Sequence, residues 1–174
     1  MSEVPVWLLD IDGVINACTR KPDPNVWPKD AWRSQKVNGF PITCAVPVLD
    51  FIHRIHREGV AEIRWHTTWQ KDSALIEQAF GLPHLPVQDC PEFDTRYASD
   101  RWFKLPAAER VVMKDGRDLI WTDDDLGYCK GGDDWVTLEY MREERRILTI
   151  APSDNTGLTP KHLRRIDEFL GSAS

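Results

Sequence analysis

Two acidic clusters, far apart in the chain and each at the end of an apolar run, carry the strongest chemical signal in the sequence. The first is Asp10-Ile11-Asp12-Gly13-Val14, which follows the apolar residues 4–9. A turn at Gly13 lets both carboxylates approach one ligand. The second is Asp123-Asp124-Asp125, directly after residues 118–122. Acids at a strand end also serve as turn formers and caps, so either cluster alone has a plain structural reading. Packed together, however, carboxylates repel one another unless solvent or a cation intervenes. If the two runs are neighbouring parallel strands, Asp10, Asp12, Asp123 and Asp124 make an oxygen-rich pocket suited to Mg²⁺. Asp125 extends the turn.

Further candidates lie between the clusters. Residues 61–67 read as a strand ending in Thr67-Thr68, whose hydroxyls can hold a phosphoryl oxygen, though β-propensity and turn capping also explain them. Lys104 sits in a helical stretch before the second cluster, where a lysine on its own reads as a surface residue. Arg20, Lys21, Arg33 and Lys36 are interleaved with Trp27 and Trp32. Such a mixture can grip phosphates and stack bases, or it can be tryptophans packing a loop with charges solvated around them. Arg96 and Arg101 share that ambiguity. His66 precedes Thr67 and is a secondary candidate to line the site, while His53, His56 and His162 are expected at the surface.

The elements that must position these residues alternate strand and helix. Strands are expected over residues 4–9, 61–67, 85–87, 118–122 and 146–150. Val48, Leu49, Phe51, Ile52 and Ile55 recur at helical spacing between Pro47 and Gly59, and residues 73–80 form a short helix before Gly81. A helix from about residue 99 to 112 carries Pro106, which interrupts or restarts it. Thr159-Pro160 opens a last helix with Leu163, Ile166, Phe169 and Leu170 on one stripe. This is an α/β sandwich with a mainly parallel five-stranded sheet, and its site belongs beyond the carboxyl ends of the strands. Residues 18–45 and 86–101 break the rhythm as irregular loops, and long loops in a small domain are usually functional or mobile.

At 174 residues the chain suits one domain over 1–174, with 41% hydrophobic residues to fill a core and 29% charged residues for a surface. There is no room for a large cap domain. The net charge of −6 disfavours indiscriminate binding to nucleic-acid backbone but leaves a nucleic-acid end open as a substrate. Four scattered cysteines without a C-x-x-C pair give no zinc signature. With no leader pattern and no apolar run long enough to span a bilayer, the expected setting is cytoplasmic, with reduced thiols and no membrane association.

In chain order these features are Asp-x-Asp-Gly-Val, a strand ending in threonine, a lysine, and a strand ending in Asp-Asp. That order resembles the four motifs of the haloacid dehalogenase (HAD) superfamily over most of the chain. Trp65-His66-Thr67-Thr68-Trp69, Trp102-Phe103-Lys104, Trp121-Thr122-Asp123-Asp124 and Gly157-Leu158-Thr159 further resemble the HAD domains of the "Swiss Army Knife" RNA-repair proteins. The resemblance implies a Rossmann-like three-layer fold and Mg²⁺-dependent phosphoryl transfer through an aspartyl-phosphate. It makes Asp10 the nucleophile and Asp12 the general acid/base, with Thr67 and Lys104 holding the phosphoryl group. Mg²⁺ would be bound by Asp10, the backbone carbonyl of Asp12, and Asp123 or Asp124. Thr68, Gly13 and Arg20 are the expected substrate contacts. An acid at position 12 also implies phosphate chemistry rather than dehalogenation. The implied substrate is a nucleotide, another phosphorylated small molecule or a polynucleotide end, with no obligate protein partner. Two alternatives stay open: a silent module that binds a phosphorylated ligand, and a phosphotransferase.

Overall fold

Short apolar runs that bury both faces build the sheet, and the chain between them supplies the covering layers. The computed structural model describes residues 3–96, 102–129 and 132–171. In order, the elements are β1 (Val6–Leu9), β2 (Trp32–Val37), β3 (Phe40–Ala45), α1 (Val46–Glu58), β4 (Glu62–Trp65) and α2 (Ser73–Phe80). They continue with α3 (Lys104–Met113), β5 (Leu119–Thr122), α4 (Gly132–Glu144), β6 (Ile147–Ile150) and α5 (Pro160–Gly171). Four strands form one parallel sheet in the order β4-β1-β5-β6. Such a sheet needs helices on both faces, which is why β1 is an unbroken apolar run.

The alternation along β1 divides the core. Trp7 and Leu9 join Val48, Leu49, Phe51, Ile52 and Ile55 of α1, Ile76 and Phe80 of α2, and Leu163 and Ile166 of α5. Val6 and Leu8 face the other way, onto Leu105, Ala108, Val111 and Val112 of α3 and Met141 of α4. The fully buried Trp7 satisfies its indole by donating to Thr122 Oγ1 at 3.0 Å, which ties β1 to β5. The result is an α/β arrangement compatible with a Rossmann-like fold. No described helix is long and apolar enough to cross a membrane.

Several expectations are corrected. The sheet has four strands, because residues 85–87 contribute a single bridge between Val87 and Trp65. Trp65 N donates to Pro86 O and Gln88 N donates to Trp65 O, both at 2.8 Å. Pro86 has no N–H with which to extend that ladder. Residues 18–45 are not wholly irregular, since β2 and β3 form an antiparallel hairpin. Its turn is Asn38-Gly39, both at positive φ, the chemistry of a two-residue hairpin turn. In residues 86–101 the described part contains a 3₁₀ turn, Pro91–Thr95.

The third helix starts at Lys104, and Pro106 sits in its first turn, where no donor is needed, so it does not break the helix. Residue 99, the expected start, lies outside the described residues. Helix α4 was not anticipated; it buries only Leu138 and Met141 and therefore shows no apolar stripe. In α5, His162 is half-buried rather than a surface residue. Its N–H donates to Thr159 Oγ1 at 3.4 Å and its Nδ1 accepts from Thr159 N at 3.2 Å, closing a reciprocal cap.

Candidate functional site

The strand register sets the site. Leu9 pairs with Trp65 on one side and Thr122 on the other, and Thr122 pairs with Ile150, so the carboxyl ends are level. Asp10 and Asp123 are the next residues out, held by Asp10 N to Thr122 O (3.2 Å) and Asp123 N to Ile150 O (3.1 Å). Lys104 opens α3 and reaches under both. Its Nζ lies 2.5 Å from Asp10 Oδ2 and 2.6 Å from Asp123 Oδ2, with all three side chains buried. The remaining oxygens also have donors: Ile11 N to Asp10 Oδ1 at 2.7 Å, and Asp125 N to Asp123 Oδ1 at 3.0 Å.

Burial shapes the electrostatics. It acts to lower the Lys104 pKa, but the charges of Asp10 and Asp123 override it and the ammonium is held above its ordinary range. Burial and then the Asp10 charge push Asp123 well up, against the pull of Lys104. Asp124 is pushed up to about 6 by burial, then by Asp125 and Asp10. Acids that resist ionisation because of one another gain most from a cation. Asp10, Asp123 and Asp124 offer oxygens within 4.8 Å of one another. This all-oxygen donor set fits a hard cation such as Mg²⁺. Gly13 makes room for it: at φ 70° a Cβ there would lie 2.3 Å from the Asp124 carboxyl.

Asp12 points to different partners. Its Oδ1 accepts from Asn16 Nδ2 and its Oδ2 from Trp69 Nε1, both at 2.8 Å. Asn16 also accepts from Thr43 N at 2.8 Å, so one amide joins Asp12 to the hairpin. The segment before α5 closes over the same loop. Leu158 N donates to Val14 O (2.8 Å), Cys18 N to Asp154 O (2.8 Å), and Trp27 Nε1 to Leu158 O (3.0 Å). Gly157 has φ 61°, and any Cβ there would meet Val14 O at 2.5 Å, so this position accepts only glycine.

The other candidates divide. Thr67 is buried at the same strand ends, one residue beyond His66, which the register sets level with Asp10 and whose N–H donates to Leu9 O at 2.9 Å. Thr68 is exposed and lines an 810 Å³ cavity together with Asp12, Arg20, Phe40 and Trp69. Lys21 and Arg33 do not line that cavity, and Lys36 lines a smaller neighbouring one. Trp27 is buried and Trp32 partly buried against the core, Trp32 Nε1 donating to Trp27 O at 3.3 Å, so both serve in packing the loop. Arg96 lies 3.8 Å over the Phe93 ring and does not line the cavity, and Arg101 falls outside the described residues. His66 does not line the cavity. It is buried against Trp121, where burial and then Lys104 hold its pKa well below normal, so it is neutral.

Asn16, Phe40 and the role of Trp69 were missed by sequence reasoning. The Asn-Gly turn flanked by two six-residue runs was the available signal for the hairpin, and hence for Phe40. The Trp69–Asp12 bond spans 57 positions and leaves no local trace. Cys18, Cys44 and Cys90 are free thiols. Compared with family models, curated proteins and solved structures, the chain matches none of them.

Proposed function

We propose that this protein hydrolyses phosphomonoesters with Mg²⁺, as a HAD-type phosphatase working through an aspartyl-phosphate. The observation that carries the reading is the buried Lys104 ammonium bridging Asp10 and Asp123 at the carboxyl ends of adjacent strands, with Asp12 two residues on and held apart from it. A lysine locked between two carboxylates fixes a nucleophile without neutralising the whole site. Asp123 and Asp124, with Asp10, would hold Mg²⁺, which supplies charge neutralisation for the phosphoryl group when bound.

Asp10 attacks phosphorus through a carboxylate oxygen; the bond to the leaving oxygen breaks and Asp12 gives that oxygen its proton. Asp12 then takes a proton from water as the water attacks the aspartyl-phosphate, releasing phosphate and restoring Asp10. Lys104 keeps Asp10 in place and counters the charge gathering on the phosphoryl oxygens, and Thr67 donates to one of them. Splitting one displacement into two steps needs a group that alternates between acid and base. Asp12 suits that task because its carboxylate is oriented by Asn16 and Trp69 rather than by Lys104.

The test is phosphate release from a panel of phosphomonoesters, with Mg²⁺ and with excess chelator. Metal-dependent release that vanishes in Asp10→Asn is expected. Full activity in a folded Asp10→Asn protein would overturn the mechanism.

A further inference from the structure

We infer that the 810 Å³ cavity beside Asp12 receives the leaving group and selects phosphomonoesters whose leaving group carries one planar base, of nucleoside size. The inference rests on the hydrolysis reading, because it assigns the part of the substrate that Asp12 would protonate. The volume lies within the ~300–1,000 Å³ range of small-molecule sites, and Asp12 and Thr68 form part of its wall.

Its apolar wall is a corner of two rings. Phe40, at the start of β3, meets Trp69 with centroids 5.9 Å apart and planes at 74°. Phe40 is 60% exposed and lines this cavity, so part of its ring is left for a ligand. A planar ring laid on it finds stacking partners that an aliphatic alcohol does not use. Polar groups line it too: the Ser34 and Thr43 hydroxyls, 2.9 Å apart, have donor and acceptor capacity left for sugar hydroxyls or ring edges.

Charge limits the size of the ligand. Among the described residues lining the cavity, Arg20 is the sole cation, set against Asp12 and Asp72. A strand with several phosphates needs a basic track, so the cavity suits one base rather than a polynucleotide. The wall is also fixed before ligand arrives. Thr43 N donates to Asn16 Oδ1 at 2.8 Å, and Gln35 Nε2 donates to Ala79 O at 2.6 Å, pinning the hairpin at both strands. Trp69 completes the unit, because the ring that forms the wall also donates to Asp12. A leaving group seated there is registered against the acid that serves it.

The experiment compares adenosine 5′-monophosphate with ribose 5-phosphate, which share a leaving alkoxide and differ by the base. The wild-type protein and Phe40→Ala are assayed with Mg²⁺, and adenosine binding is followed by NMR in chelator. The expected result is a kcat/KM about tenfold or more higher for the nucleotide, with the ratio falling toward one in Phe40→Ala. Equal values in the wild type, or an unchanged ratio in the variant, would overturn the assignment. So would a 5′-phosphorylated oligonucleotide turned over more than tenfold better than the mononucleotide. If neither sugar phosphate is hydrolysed, the leaving-group role falls with the phosphatase reading and adenosine decides only whether the cavity takes a planar base: binding lost in Phe40→Ala upholds that, and no binding to the wild type, or binding unchanged in the variant, rejects it.

Discussion

Replacing Lys104 with methionine tests whether the buried ammonium holds the site together. Methionine has a similar length and no charge, so packing changes little while Asp10 and Asp123 lose the partner 2.5 and 2.6 Å away. Both carboxylates are almost fully buried and then face each other uncompensated. Removing one member of a buried ion pair costs about 3–5 kcal/mol. Against a typical domain stability of ~5–15 kcal/mol, the variant folds with a narrow margin. At about 2–4 °C per kcal/mol for a chain of this size, Tm falls by roughly 6–20 °C. Thermal melts of both proteins in chelator, then in millimolar Mg²⁺, read this out. Mg²⁺ should stabilise Lys104→Met more than the wild type, because it replaces a missing cation, while phosphate release stays low. A loss below about 1 kcal/mol in chelator, or equal stabilisation of both proteins by Mg²⁺, would refute the bridging role.

Three further outcomes are expected. Gly13→Ala should cost about 1–3 kcal/mol through its left-handed backbone and should weaken Mg²⁺ stabilisation by displacing Asp124, both visible in the same melts. Asn16→Ala strands Thr43 N and one oxygen of Asp12, so it should cost about 1–3 kcal/mol and lower kcat more than it raises KM. Glu62 is held down to about 2, chiefly by the Arg64 hydrogen bond, with Arg117 adding to it. A depressed carboxyl stabilises the fold above its unfolded value and loses that contribution as pH falls from about 4.5 toward 2. Glu62→Gln should therefore flatten the acid limb of a stability profile. The change should stay within about 1 kcal/mol, because the side chain is partly exposed.

What was legible in the sequence was whatever local chemistry announces. Asp10-Ile11-Asp12-Gly13 and Asp123-Asp124 stand at the ends of apolar runs, and a parallel sheet has no choice but to bring such ends together. Lys104 could be placed in order but not in space, since nothing around it in sequence says that its helix begins under the strand ends. The third strand was over-read because residues 85–87 are apolar, while the missing N–H of Pro86 limits pairing to one bridge. Helix α4 was under-read because only two of its side chains are buried. The hairpin was readable from Asn38-Gly39, yet the prolines, tryptophans and charges of residues 18–45 drew the reading toward an irregular loop. The bonds that aim Asp12 join residues from three separate segments and exist only once the chain has folded.

The closure of residues 153–158 over the loop after β1 has a consequence for synthesis. Leu158 N and Val14 O are joined across 144 positions of the chain. At about 5–20 residues per second, the acidic loop leaves the ribosome roughly 7–29 s before the segment that fastens it. Sheet and helices can begin to assemble in that interval, but the turn carrying Asp12 waits for its clasp. A nascent chain halted before Gly157 would thus carry the groups that hold Asp10, Asp12 and Asp123 while the loop after β1 stayed unfastened at Val14.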